Sequence, residues 1–363
     1  MQEIGRLRRD SALQDWQHNL HRSFIEGVHD VRNTRPEHLM PSPTLAKTVS
    51  ILGAALAFSV STAAEGVQLD PKLTAYTQVS GISGNLNSIG SDTLNNLMTF
   101  WAEGFSTIYP NVNIGIEGKG SSTAPPALIQ GTAQFGPMSR EMSASEIDRF
   151  ETKFGYKPTQ IRVAIDALAV FVHKDNPITG LTLQQIDGIF SSSRKRGGKD
   201  VSLWSELGLK EWQGRSMSLY GRNSASGTYG FFKEIALAKG DYKATVKEQP
   251  GSSSVVQGVA SDLNGIGYSG IGYVTASVKA LPLGEKAGEL AAPTYQNCLE
   301  GTYPLARFLY VYINRKPGQP IEPLTLEFIK FILSKNGQES VIKEGYYPLT
   351  AEMEAEEHAK VTK

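Results

Sequence analysis

Cysteine is nearly missing from these 363 residues: Cys298 stands alone, which excludes an intramolecular disulfide framework, a thiolate metal cluster and a CxxC redox pair. Histidine is also scarce. Of the six, His18, His21, His29 and His38 lie upstream of a leader-like segment. His173 and His358 remain, too few for a histidine metal site or a histidine-based catalytic triad. Neither sign of charge is in excess, with 36 Lys and Arg against 36 Asp and Glu. A nucleic-acid wrapper or a polybasic membrane-surface protein needs a large one-signed field, so both classes are excluded. The sequence holds no run of roughly 18 apolar residues that could span a bilayer. Its 40% apolar and 20% charged residues nevertheless suffice for a buried core.

From Met40 the chain reads MPSPTLAKTVSILGAALAFSVSTAAEG. Lys47 precedes the apolar run Val49–Val60, and small residues end at Ala63 and Ala64, the three-part layout of a secretory signal. Residues 40–64 are therefore expected to be a signal peptide cleaved near Ala64, leaving a protein that is periplasmic or secreted. Residues 1–39, rich in Arg and His, would block the signal's terminal position. They read as an upstream extension, with translation beginning at Met40. The lack of a cysteine near the cleavage point excludes lipid anchoring there.

The remaining chain is long for a single core, and two lobes are expected. Short β-rich runs alternate with amphipathic stretches. Val112 to Glu117, Ile161 to His173, Ser216 to Tyr220, Ile266 to Val274 and Phe308 to Asn314 read as strands. Leu94, Leu97, Met98, Trp101, Phe105 and Ile108 recur at spacings of three and four and predict a helix over 94–109, stopped by Pro110. Helices are likewise expected over 124–130, 144–154, 183–190, 229–238, 255–263 and 324–335. This alternation predicts an α/β fold. The charged end, Ala351 to Lys363, reads as a frayed, exposed tail.

Three helix starts share glycine with small hydroxyl residues: Gly90-Ser91-Asp92-Thr93, Gly118-Lys119-Gly120-Ser121-Ser122-Thr123 and Ser224-Ala225-Ser226-Gly227-Thr228. A helix N-terminus exposes unpaired N–H groups and the positive end of the dipole, and hydroxyls add donors, so such a segment can hold an anion. Taken singly, each is an ordinary N-cap. In triplicate, with glycine allowing a ligand to approach the backbone, they suggest an anion site. Arg222, four residues before Ser226, has the planar fork that suits an oxyanion; alone, it reads rather as half of a surface salt bridge.

The segment Gly221-Arg222-Asn223-Ser224-Ala225-Ser226-Gly227-Thr228 resembles the arginine-to-SGT loop of the phosphate-binding proteins that feed the high-affinity phosphate ABC transporter, the PstS-like family. Further blocks follow in that family's order: Gly90 to Leu94, Gly120-Ser121-Ser122, Phe135 to Arg140, Ile165 to Val170, Leu181 to Phe190 and Asn264 to Tyr268. The likeness spans roughly residues 85 to 350. It implies the two-lobed periplasmic solute-binding fold of type II, two α/β domains closing on one phosphate. Lobe one would comprise residues 76–168 and 282–350, and lobe two residues 169–281. The resemblance implies as ligands Thr93, the Leu94 backbone N–H, Ser121, Arg222, Ser226, the Gly227 N–H and Thr228. It implies no cofactor, no metal and no covalent step, and as partners inorganic phosphate and an inner-membrane ABC permease, the protein acting as a monomer without nucleic acid.

One position departs from the enteric pattern. Where that pattern has an aspartate accepting the proton of hydrogen phosphate, this chain has Ser139, followed by Arg140. A carboxylate there would reject sulfate, which has no proton to donate. Asp166 is the candidate replacement acceptor, or equally a structural aspartate in a hinge hydrogen bond, with Arg140 as a second cation or as the partner of Asp166. Sulfate or another tetrahedral oxyanion is the alternative ligand. A secreted phosphoester hydrolase and a surface-associated adhesin are alternatives of other classes. Gly265-Ile266-Gly267-Tyr268-Ser269-Gly270 matches GxGxxG but opens no helix, so a dinucleotide site is not indicated. Arg194-Lys195-Arg196 reads as a solvated turn.

Overall fold

The computed structural model describes residues 66–362; the expected extension 1–39 and signal 40–64 lie outside the described residues. In chain order the strands are β1 (Gly84–Ile89), β2 (Val112–Glu117), β3 (Gly136–Met138), β4 (Thr159–His173), β5 (Leu181–Thr182), β6 (Ser218–Arg222), β7 (Lys247–Gln249), β8 (Gly265–Gly270), β9 (Val278–Ala280), β10 (Leu283–Gly284) and β11 (Ala306–Ile313). The α-helices are α1 (Asn95–Ile108), α2 (Ala124–Gln130), α3 (Ala144–Phe154), α4 (Leu183–Phe190), α5 (Gly227–Ile235), α6 (Ser252–Ala260), α7 (Tyr295–Leu299), α8 (Pro323–Leu333), α9 (Lys335–Lys343) and α10 (Ala351–Thr362).

Two apolar runs form the centre. β4 is buried from Val163 to Val172 and β11 along its whole length, as strands covered on both faces must be. They pair antiparallel, with Arg307 opposite Asp166. Beyond Ala167 the partner of β4 changes: Leu168–Val172 run against β8, and Phe171–His173 against β9. β8 continues in parallel to β6 and β7, while β3 flanks β11, giving the mixed order β3-β11-β4-β8-β6-β7. Separately, β1 and β2 pair in parallel, and so do β5 and β10. From Gln68 onward the chain is one compact unit. The expected α/β class is the one observed.

The helices follow from local chemistry. α1 buries Leu97, Met98, Trp101, Ala102 and Phe105, one stripe of a 3.6-residue period. α3 carries a capping box between Ser143 and Glu146 and ends at Gly155 in the left-handed region. The predicted bounds of α2, α3 and α4 coincide with those observed.

Other expectations need correction. The strand expected over 266–274 stops at Gly270, because the Ile271 N–H leaves the ladder to donate to Asp166 Oδ1 and residues Ile271–Tyr273 close a 3-10 turn. β6 lies at Ser218–Arg222, two residues later than expected, and so carries Arg222 as its last residue. The helices expected over 229–238 and 255–263 begin earlier, at Gly227 and Ser252, and end at Ile235 and Ala260. The segment expected as a frayed tail is α10. Met353, Glu357 and Val361 lie four residues apart and are all buried, and an apolar-charged-apolar stripe of that kind escapes a reading based on charge density. Arg196 is likewise not a solvated group: its guanidinium donates to the Ala236 and Ile235 carbonyls and pairs with Glu285.

Candidate functional site

Four turns deliver hydroxyls to one buried spot. Thr93 sits in the 3-10 turn Asp92–Leu94 that leads into α1, and Ser121 opens the 3-10 turn Ser121–Thr123 that leads into α2. Ser139 directly follows β3, and Thr228 is the second residue of α5. Their side chains are almost wholly excluded from solvent. Thr93 Oγ1 lies 2.9 Å from Thr228 Oγ1, Ser139 Oγ 3.4 Å from Thr228 Oγ1, and Ser121 Oγ 3.3 Å from Ser139 Oγ. The Ser139 N–H donates to Ser121 Oγ at 3.0 Å.

Ser226 caps α5, its Oγ accepting the Tyr229 N–H, a bond that leaves its hydroxyl proton free to donate elsewhere. Gly227 stands where the helix start meets the hydroxyl cluster. A Cβ there would lie 2.3 Å from Ser121 Oγ and 2.7 Å from Ser139 Oγ, which is why only glycine fits. Leu94 is a core side chain; what it can offer an anion is its backbone. Ser122 adds a clasp, donating from N and Oγ to the Ala225 carbonyl.

Two buried guanidiniums are each held by an aspartate, Arg307 in contact with the cluster and Arg222 with Asp92, the residue before Thr93. Arg222, 1% exposed, donates from Nη1 to Ser252 Oγ at 2.7 Å and from Nη2 to the Pro250 carbonyl, and Nη2 lies 3.2 Å from Asp92 Oδ2. Its Nε is buried and has no hydrogen-bond partner among the described residues. Burial lowers the pKa of Arg222, and Asp92 pulls it back up; the guanidinium stays charged at neutral pH. Arg307 donates from Nε and Nη2 to Asp166 Oδ2 at 2.9 and 2.7 Å, from Nη1 to the Ser139 carbonyl at 2.7 Å, and from Nη2 to Thr228 Oγ1 at 3.0 Å.

The pairing expected between Arg140 and Asp166 is not what the structure shows. Arg140 forks onto both oxygens of Glu146 at 2.7 and 2.8 Å. Burial raises the Glu146 carboxyl's pKa, but the bonds from Arg140 and Ser143 more than offset this and hold it below the usual glutamate value. Asp166 spends Oδ1 on the Ile271 N–H and Oδ2 on Arg307, so its acceptor capacity is turned to protein groups. Arg307, Asp92 and Ser252 escaped the sequence reading. For Arg307 a signal existed: a lone cation inside the apolar run Ala306–Ile313 is a rare thing in a buried strand.

A family model described as a PBP superfamily domain matches residues 75–336. The phosphate-binding protein PstS of Pseudomonas aeruginosa is 58% identical over 308 residues, covering 83% of this chain and 95% of that protein. A solved structure from Clostridium perfringens, titled as a candidate phosphate ABC transporter substrate-binding protein with bound phosphate, is 27% identical. It covers 74% of this chain and 100% of its own, with a TM-score of 0.63. An ABC-type phosphate transport receptor from Vibrio cholerae, 24% identical, shares the fold with a TM-score of 0.58, over 73% of this chain and 100% of its own. The chain thus belongs to the PBP superfamily, in the family of the Pseudomonas phosphate-binding protein.

Proposed function

We propose that this protein binds inorganic phosphate and delivers it, chemically unchanged, to an ABC permease. The observation that carries the reading is the unpartnered Nε of buried Arg222, whose partner Asp92 precedes Thr93, one of four converging hydroxyls gathered at a glycine-started helix N-terminus. Leaving a charged N–H buried and unmet costs about 1–3 kcal/mol or more, and a tetrahedral oxyanion meets that need. The 58% identical relative named a phosphate-binding protein and the bound phosphate of the Clostridium structure support the same ligand. The ligands are Thr93, the Leu94 N–H, Ser121, Ser139, Arg222, Ser226, the Gly227 N–H and Thr228.

Two lobes, 76–168 with 282–350 and 169–281, account for the arrangement. Thr93, Ser121 and Ser139 come from the first, and Arg222 through Thr228 from the second, so an anion touching both stabilises the closed form. The change of partner along β4 after Ala167 supports a crossing near that residue. Export through residues 40–64 puts the protein, as a monomer, in the periplasm. Among the described residues no helix is long and apolar enough to cross a membrane.

Calorimetric titration of the purified chain, freed of bound anion by unfolding and refolding, tests the reading. One-to-one phosphate binding is expected, with sulfate bound far more weakly, together with an absence of turnover on a chromogenic phosphoester. Sulfate binding in place of phosphate would establish the second reading, another tetrahedral oxyanion, which Ser139 at the aspartate position favours.

A further inference from the structure

We infer that Arg307, clamped by Asp166, is a positioning residue for the anion: it sets the direction in which the Thr228 hydroxyl donates. This rests on the phosphate reading above. A hydroxyl has one proton and two lone pairs, and its proton swings to suit its neighbours. Thr228 Oγ1 receives a hydrogen bond from Arg307 Nη2 at 3.0 Å. A guanidinium cannot accept, so the Thr228 proton has to point away from Arg307. On that other side lie Thr93 Oγ1 at 2.9 Å and Ser139 Oγ at 3.4 Å, the converging hydroxyls of the anion site.

Arg307 is in turn immobile. Asp166 stands directly opposite it in the β11–β4 register, and Asp166 Oδ2 accepts from both Nε and Nη2. The Ser139 carbonyl takes Nη1, and the Phe231 ring lies 5.3 Å from the guanidinium carbon. Asp166 is itself fixed through Oδ1 by the Ile271 N–H. The chain Ile271, Asp166, Arg307, Thr228 therefore passes a fixed orientation from the strand pair to the first turn of α5. A hydroxyl held as a donor binds an anion better than one that must first break another arrangement, because its ordering precedes binding. This also accounts for an aspartate buried on β4 that the site does not use as an acceptor.

The experiment is a double-mutant cycle read by phosphate calorimetry on the purified chain. Arg307→Gln is combined with Asp166→Asn so that no unpaired carboxylate is left buried, and the combination is made with and without Thr228→Val. The expected result is a loss of phosphate affinity of about tenfold or more with Thr228 present, shrinking to about twofold or less in the Thr228→Val background, the sign of coupling through that hydroxyl. Arg307→Lys, which keeps the charge but loses the fork, is expected to fall between wild type and the combined variant, and it carries the test if the combined variant does not fold. An affinity within about twofold of wild type, or an equal loss in both Thr228 backgrounds, overturns the inference. Failure of the wild-type chain to bind phosphate at all overturns the phosphate reading itself, and the inference with it.

Discussion

Asp92 Oδ2 sits 3.2 Å from Arg222 Nη2 and accepts the Ser252 N–H at 2.8 Å. One carboxylate thereby joins the turn before α1 to the end of β6 and the start of α6. Its charge makes a buried guanidinium tolerable, since an isolated buried ion would cost several kcal/mol. It does so through Nη2, and Nε has no partner among the described residues. Asp92 and Arg222 belong to the two segments expected to separate when the site opens, so the pair favours closure alongside the anion.

Replacing Arg222 with Gln removes the charged donor while leaving Asp92 at the partly exposed rim. A charge-assisted hydrogen bond contributes about 1.5–3 kcal/mol. Phosphate affinity is therefore expected to fall at least about tenfold by calorimetry, since 1.4 kcal/mol is about tenfold. Arg222→Lys should recover only part of it, because a point charge cannot reproduce the fork. An affinity equal to wild type in the Gln variant would remove Arg222 from the site.

Gly227→Ala tests the closeness of the helix start to the hydroxyls. The added methyl would stand 2.3 Å from Ser121 Oγ and 2.7 Å from Ser139 Oγ, so the α5 turn must retreat from both. Phosphate binding is expected to drop by about tenfold or more, with a loss of stability of about 1–3 kcal/mol from overpacking a buried turn. Gly120→Ala adds a second probe. Its φ of +111° and a Cβ position 2.5 Å from the Ala225 carbonyl make any side chain an obstacle to the Ser122–Ala225 clasp.

Selectivity is expected to move at Ser139. The serine offers a hydroxyl that both donates and accepts, whereas a carboxylate would accept only. Ser139→Asp should leave phosphate bound near neutral pH and weaken sulfate by about tenfold or more, since sulfate brings like charge without a proton to donate. Paired titrations with the two anions measure this as a ratio. A ratio unchanged from wild type would mean that position 139 does not face the anion.

The sequence was most informative where a local signal suffices. Periodicity and caps placed α2, α3 and α4, and the glycine–hydroxyl runs pointed at Thr93, Ser121 and Thr228 because such turns must sit at helix starts. Long-range pairing was hidden. That Arg307 would stand opposite Asp166 depends on the register of two strands about 140 residues apart in the chain, and that Arg140 would turn to Glu146 depends on the capping geometry of α3. The C-terminal segment went astray for a related reason: its charges were counted, but the packing of its four-residue stripe against β4 could not be.

That stripe yields the last prediction. Glu357 is fully buried on α10 and is held by the Arg162 guanidinium of β4, by the Arg162 backbone N–H and by Lys360. Burial lowers the pKa of Arg162, but Glu357 and Glu356 outweigh it and raise it, so the guanidinium stays charged. Glu357→Ala leaves a mostly buried cation without its main partner, a change that costs about 3–5 kcal/mol. Met353 and Val361, on the same face, should each cost about 1–3 kcal/mol on truncation to Ala through lost apolar burial. Denaturant unfolding of the three variants measures these losses, and phosphate affinity should stay unchanged, because α10 contributes no group to the site. A free, frayed tail would leave all three variants as stable as wild type.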